Sequence, residues 1–472
     1  MWSSIFPLLT DLILLLFLAI PGYLVVRLAA PQVGRVETAA AAFPLGAGLF
    51  SFILFLLSWA GVHLRLTTLA VVYAAILLPL FLLLALRRRS VGSSDAAQDE
   101  GPHEQLSHKV ARRGTWILIG LFMLVAAVIS LGRSYTPFDA SAIWASKGYG
   151  IALEGTVFAA RLWGAHSLSY PFNVPLLISV FQLADGDLLP GSKLIFPLFF
   201  GSILMGAAGF WRRLGMSYVW VCAGILFLGT LPEIFRHATY GYVNLPASAY
   251  FVLGTMWGVI GLAKGSRGHL AVAGLLLALG SWTRVEGILY ALVIVGALAV
   301  SWWSLRPGAF PFLWLLMPIA VIGGTWLVFY RTYGVGSSQA GSAMVAALAR
   351  WRLGDLRLHS IRLIFGYFRR ELLDTGTWGL LFPVSIAFLA LHARRLFDRS
   401  FPEVFSLAMA TLGCGIVTVG LFYVGSYARG DLVGWLTRGF PRAFFPAAIL
   451  LAILGFVVAA SSGRHRATQG SP

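Results

Sequence analysis

Residues 66–89 read LTTLAVVYAAILLPLFLLLALRRR. From Leu69 to Leu86 no side chain is charged, and three arginines then follow without a break. A bilayer's hydrocarbon core is about 30 Å thick, so about 20 apolar residues in an α-helix cross it. Inside lipid each backbone N–H and C=O must be satisfied within its own segment, which makes the run a helix. Arg87, Arg88 and Arg89 mark the side on which it stops.

The same pattern recurs along all 472 residues, of which 58% are hydrophobic and 11% charged, with a mean hydropathy of +0.83. Soluble domains carry about 25% charged residues. A soluble enzyme, a secreted disulfide scaffold and a disordered chain are excluded. Thirteen spans are expected, at 5–29, 40–62, 66–86, 114–132, 190–211, 218–235, 244–263, 269–282, 287–303, 310–330, 378–393, 403–424 and 440–460. The fold class is all-α, a polytopic transmembrane helical protein. The run 5–29 is too long for the core of a secretory signal and follows no basic residue, so it reads as a retained span. The span at 269–282 is short enough to be re-entrant.

Lys and Arg set the orientation. Arg87–Arg89 with Lys109, Arg112 and Arg113, then Arg212 and Arg213, Lys264 and Arg267, Arg306, Arg394 and Arg395, and finally Arg464 and Arg466, all fall on one side of a thirteen-span chain. That side reads as cytoplasmic, with the N-terminus outside and the C-terminus inside a plasma (inner) membrane. The net charge of +17 is spread over these short loops. It fits topology signals and anionic lipid headgroups rather than nucleic acid. The polar stretch 90–108 reads as a flexible linker. Three units are expected: 1–113, an N-terminal three-span extension with that linker; 114–330, a transmembrane core with the outer loop 133–189; and 331–472, an outer Arg-rich loop with the C-terminal spans. No internal repeat of the transporter kind is visible.

Both outer segments, 133–189 and 331–377, are long enough to carry function and interfacial helices. The apolar run 170–184 is too short to cross and is expected to lie on the membrane. Segment 331–377 holds Arg350, Arg352, Arg357, Arg362, Arg369 and Arg370 on the side where basic residues are not expected. They read either as side chains snorkelling to lipid phosphates or as ligands of a phosphate-bearing substrate. Cys222 and Cys414 lie in apolar runs, at no metal-site spacing, and read as small buried side chains.

Several polar groups interrupt the apolar pattern. Asp139, Trp144 and Lys147 share one probable helix just past a span, where Asp139 is either its N-cap or an acid–base group. His166 and Tyr170-Pro171 lead into the run 170–184, where a structural role is simplest. Glu233, Arg236 and His237 form a polar cluster before Tyr242, and Asn244 with Pro246 reads as a capped helix start. Arg284 and Glu286 break a long apolar stretch and either pair with each other or face a polar outer cavity. Arg429 and Asp431 precede Arg438 and Arg442, which are four apart and share a face on a helix, suited to clasping a phosphate or anchoring the span at the headgroups.

In order, these fragments resemble the GT-C superfamily of integral membrane glycosyltransferases, in its protein-mannosyltransferase and aminoarabinose-transferase branches. The resemblance covers 114–303. It rests on Asp139-x4-Trp144-x2-Lys147, on Tyr170-Pro171, on Gly241-Tyr242-Val243-Asn244-Leu245-Pro246 and on Arg284-Val285-Glu286-Gly287. Those branches often carry two adjacent acids where Asp139 stands alone, an Asp where this chain has Asn244, and one span before the loop where this chain has four. The resemblance implies a GT-C-like fold with interfacial helices in the first outer loop. It also implies sugar transfer from a polyprenyl-phosphate donor to an acceptor hydroxyl at the outer face, in building a cell-envelope glycan.

Asp139 would be the general base of an inverting displacement. Lys147, Arg284, Arg438 and Arg442 would stabilise the leaving phosphate without a divalent metal or other cofactor. Trp144, Tyr170 and Tyr242 would offer rings to sugar or prenyl chain, and Glu286, His237 and Asn244 complete the donor-binding set. Membrane lipids and the lipid-linked sugar are the expected partners. The sugar and the acceptor, whether glycan, lipid or protein, stay open. A transporter or flippase of lipid-linked sugars and an O-antigen ligase or polymerase are the alternatives. The first lacks support from a repeat, and the second lacks the early Asp-Trp-Lys stretch.

Overall fold

The computed structural model describes residues 2–90, 106–135, 138–159, 168–186, 191–305, 311–334, 357–397, 401–427 and 431–460. Most of the linker 90–108, and His166, Arg306, Arg350, Arg352, Arg429, Arg464 and Arg466, lie outside them. The described residues form helices and turns with no strand. In chain order the helices are α1 (Trp2–Ala29), α2 (Arg35–Trp59), α3 (Leu66–Ser90), α4 (Leu106–Gly132), α5 (Ser146–Glu154), α6 (Asn173–Asp185), α7 (Ile195–Arg213), α8 (Tyr218–Gly229), α9 (Pro232–Tyr240), α10 (Asn244–Lys264), α11 (Arg267–Ser281), α12 (Gly287–Leu305), α13 (Phe312–Phe329), α14 (Leu358–Leu373), α15 (Thr375–Trp378), α16 (Leu381–Leu391), α17 (Pro402–Gly425) and α18 (Leu432–Ala460).

Among the described residues ten helices are long and apolar enough to cross a membrane, and α8 with α9, bent by 62°, makes an eleventh if the pair is one span. The protein is thus a multi-pass helical membrane protein. The other two of the thirteen expected spans are α11, of 15 residues, and α16, of 11, both shorter than a full crossing of about 20. The run at 269–282 is as short as expected, whereas 378–393 is cut to Leu381–Leu391, because hydropathy averages over a window and does not register where a helix stops.

The bundle is built around α10, buried along its whole apolar window, with α2, α7 and α18 mostly buried beside it and α3 and α4 at the rim. Small residues bring the helices together, as expected where lipid removes the hydrophobic drive between them. A Cβ on Gly22 would lie 2.0 Å from the Ala42 carbonyl oxygen, and one on Gly46 1.9 Å from that of Leu18, so α1 and α2 touch backbone to backbone.

The bundle has two unlike ends. At one, Arg87 donates to the Leu28 carbonyl, Arg213 pairs with Glu37 at 2.9 Å and Arg395 donates to the Val458 carbonyl at 3.1 Å. α10 runs from Asn244 at the other end to Lys264 at this one. The opposite end gathers Asp139, α5, α9, α14 and the first turns of α12 and α18. The run 170–184 does not lie on the surface. α6 is buried from Asn173 to Phe181 and packs against α5 and α2. Its buried polar side chains, Asn173 and Ser179, are bonded inside the bundle rather than turned to water.

Candidate active site

α9 opens at Pro232 and turns sharply from α8. Its buried face carries Glu233, Ile234, His237 and Ala238. Glu233 accepts from His237 Nε2 at 3.1 Å and pairs with Arg236 at 2.9 Å, one helical turn away in each case. The His237 ring stacks on Phe445 of α18 at 4.5 Å and lies 4.8 Å from the Tyr242 ring. Gly241 ends α9 in the left-handed region, with φ +81°, where a side chain would be strained and would meet the Tyr135 ring. This turn swings Tyr242 back over His237.

Across from Tyr242 sits Arg442. Its guanidinium lies 4.9 Å from the Tyr242 ring centre and donates to Asp139 Oδ2. Asp139 does not cap its helix. Phe138 holds the cap position without a side-chain bond, and Asp139 opens the wide turn Asp139–Ala145 that leads into α5. Arg442 and Asp139 are 30% and 34% exposed, so a ligand can approach the pair. The cluster is balanced: Asp139 and Glu233 against Arg236 and Arg442. Arg438 is exposed and stands outside it. Pro441 intervenes and removes the backbone bond to Thr437. The Tyr290 hydroxyl donates to the Ala443 carbonyl at 2.7 Å and ties α12 to α18 beside Arg442.

A second group stands on α5 and the turn before α6. Trp144 meets Tyr170 edge to face at 5.4 Å. Lys147 is only 2% exposed, donates to the Tyr170 carbonyl at 2.5 Å and lies 3.7 Å over the Phe172 ring. Burial pushes its amine well below the usual lysine range. Placed so, Lys147 ties Tyr170 to α5. Arg284 and Glu286 form a third group and pair with each other at 2.5 Å, the self-pairing that sequence alone left open. Asn244 is buried as the first residue of α10, with Val243 at the cap position, so it does not cap; its Nδ2 has no hydrogen-bond partner.

The structure therefore joins Asp139, Arg442, Tyr242 and His237 in one contact chain, with Glu233, Arg236 and Phe445 added. It sets Trp144, Tyr170 and Lys147 beside each other, and leaves Arg438 and Asn244 outside these contacts. Sequence reasoning missed a buried polar hub. Asn173 accepts from Ser51 at 2.6 Å and donates to Thr283 at 2.8 Å, next to Arg284, while Tyr250 donates to the Pro44 carbonyl at 2.9 Å. The available signal was an amide opening a run of apolar residues. Asn173→Leu is expected to cost about 1–3 kcal/mol, because it removes two buried hydrogen bonds while the Ser51 and Thr283 hydroxyls keep only the Gly48 and Leu279 carbonyls. Denaturation of the purified protein measures this, and an unchanged midpoint would remove Asn173 from the framework of the site.

Among the described residues no group of three or more His, Cys, Asp or Glu side chains is placed to hold a metal ion. Cys222 and Cys414 are free thiols.

No protein-family model matches this sequence, and no curated protein matches it. Among solved structures it is similar to the crystal structure of the Archaeoglobus fulgidus oligosaccharyltransferase in complex with zinc and sulfate, with a TM-score of 0.38 and 13% identity. The match covers 74% of this chain and 50% of that one, so this chain spans half the length of the structure it matches.

Proposed function

We propose that this protein is a membrane-embedded glycosyltransferase that moves a sugar from a polyprenyl-phosphate donor to an acceptor hydroxyl at the outer face of the plasma (inner) membrane. The observation that carries this reading is the accessible Asp139–Arg442 pair, at the end of the bundle opposite the basic loops. A carboxylate and a guanidinium in contact are the two groups such a displacement needs.

Asp139 takes the proton of the acceptor hydroxyl as its oxygen attacks the anomeric carbon. The bond from that carbon to the phosphate oxygen breaks, its electron pair stays on the polyprenyl phosphate, and the configuration inverts. Arg442 meets the growing charge on the leaving phosphate. In the resting protein Arg442 is held by Asp139. A donor phosphate competes for the guanidinium, and each oxygen pair it captures leaves the carboxylate freer to act as base. Arg236, 41% exposed, is the second cation within the cluster. Tyr242 and the Trp144–Tyr170 pair offer ring faces to sugar or prenyl chain. Lys147, Arg284, Glu286, Arg438, His237 and Asn244 remain in the donor-binding set. The first two act through Tyr170 and the Glu286 pair rather than as free cations. The residues named supply the base and the cations without calling on a metal or another cofactor.

The test is transfer by the purified protein from radiolabelled polyprenyl-phosphate sugars to a membrane extract. Label moving into a non-carrier product supports the reading. Lipid carrier crossing liposome bilayers with no transfer from any donor sinks it and puts a flippase in its place.

A further inference from the structure

α14 has two faces that its neighbours define. Ser360, Ile364 and Glu371 are buried. Phe368 packs on Phe440 at 6.0 Å and on Phe444 at 5.5 Å, and Tyr367 on Phe440 at 6.4 Å. Those phenylalanines flank Arg442 on α18. The N-terminal end is pinned by Arg357, which donates to the Ser426 carbonyl at 2.9 Å and lies 4.2 Å over the Tyr427 ring. The C-terminal end is pinned by Glu371, which accepts from Trp378 Nε1 at 2.9 Å.

The other face is open. Leu358, Arg362, Phe365, Arg369 and Leu373 follow one another at helical spacing and are all exposed, Leu373 to 74%. Arg370 flanks them. The one acid on the helix, Glu371, is turned inward, and Asp374 just beyond is taken up by Gly376, Thr377 and the Thr377 hydroxyl. So the stripe alternates large apolar side chains with arginines that no carboxylate on the helix neutralises. A helix in water would not expose Phe and Leu between its charges. A helix in the core of a bilayer would not expose arginines. Only the headgroup layer suits both at once.

We propose that the exposed face of α14 binds the phosphate headgroups of anionic phospholipids, with Arg362 and Arg369 on the phosphates and Leu358, Phe365 and Leu373 in the acyl boundary. This goes beyond the transferase reading and stands or falls without it. Arginine suits the role because its planar fork meets two phosphate oxygens at once. The surface lies one packing layer from Arg442, through Phe440 and Phe444.

The experiment is native mass spectrometry of the full chain in neutral detergent, titrated with dioctanoyl phosphatidylglycerol or dioctanoyl phosphatidylcholine. Wild type is expected to take phosphatidylglycerol in preference. R362Q/R369Q is expected to weaken it by about 30-fold, which is two arginines at about 1 kcal/mol each near a charged surface. R65Q/R331Q, which removes two other exposed arginines from the same end, is expected to change it by less than about threefold, since neither lies on this face. Equal losses in the two variants, or equal binding of the two lipids by wild type, would overturn the proposal. Displacement of the lipid by equimolar inorganic phosphate would overturn it too, in favour of a free-anion site. If R362Q/R369Q fails to fold, the salt dependence of wild-type binding decides. Arginine–phosphate contacts weaken steeply as salt rises, and contacts to acyl chains alone do not.

Discussion

Asp139→Asn lowers sugar transfer by two to four orders of magnitude and leaves the fold intact; that is the expected result of removing the base alone. The amide keeps the size of the carboxylate and still offers Arg442 an oxygen, so the contact between residue 139 and α18 survives in weakened form. What disappears is the charge and the capacity to take a proton. Initial rates with a labelled polyprenyl-phosphate sugar, measured beside the thermal midpoint and donor binding, separate the two. A variant that folds, binds donor and still transfers within a few-fold of wild type would show that the acceptor is deprotonated elsewhere. Glu233 would then be the next carboxylate to examine.

Arg442→Met is the second large effect. Loss of one preorganised donor on a developing oxyanion costs about 10²–10³ in rate, and Arg442 is the residue at which base and leaving phosphate would meet in the proposed displacement. The ion pair itself is one-third exposed, so its share of stability is about 1 kcal/mol or less. The variant should therefore fold nearly as well as wild type while losing transfer. A double-mutant cycle with Asp139→Asn sharpens the test. If Arg442 only held Asp139 in place, the double variant would be no slower than Asp139→Asn alone. If Arg442 also stabilises the leaving phosphate, the double variant is slower still. Arg442→Lys should recover part of the rate, since it keeps the charge and loses the two-pronged geometry.

Much of this architecture is legible without coordinates, and the parts that are not share a cause. The stretch 66–89 predicts a span with a basic end, and α3 is that helix. All thirteen expected runs contain helices, because hydropathy is set by neighbours in the chain. The shortness of 269–282 was legible as well, but at 378–393 the helix is shorter than its apolar run. The run at 170–184 shows the limit of such reasoning. Its length and apolarity are those of a helix on a membrane surface, and what buries α6 is the presence of α2 and α5, distant in the chain. In the same way four-residue spacing puts Arg438 and Arg442 on one helix, while the position of Asp139 gives a partner to Arg442.

The residue types of the site could be listed from the sequence, but not who touches whom. Asp139 and Arg442 are 303 residues apart, and nothing local to either foretells the pair. Lys147 reads as a free cation in the chain and proves to be a tie for Tyr170, because in a buried setting an ammonium takes the nearest carbonyl and ring. Glu233 and His237 were visible as a cluster, yet only the left-handed turn at Gly241 lays Tyr242 over them and so connects them to Arg442. The sequence by itself determined that this is a helical membrane protein, where its apolar runs fall and which end of the bundle collects the basic loops, since each depends on stretches of chain no longer than a span. The tertiary structure alone decided which charges meet and which are spent on one another. Those are contacts between distant segments, and their energy depends on burial and geometry that exist only once the helices have packed.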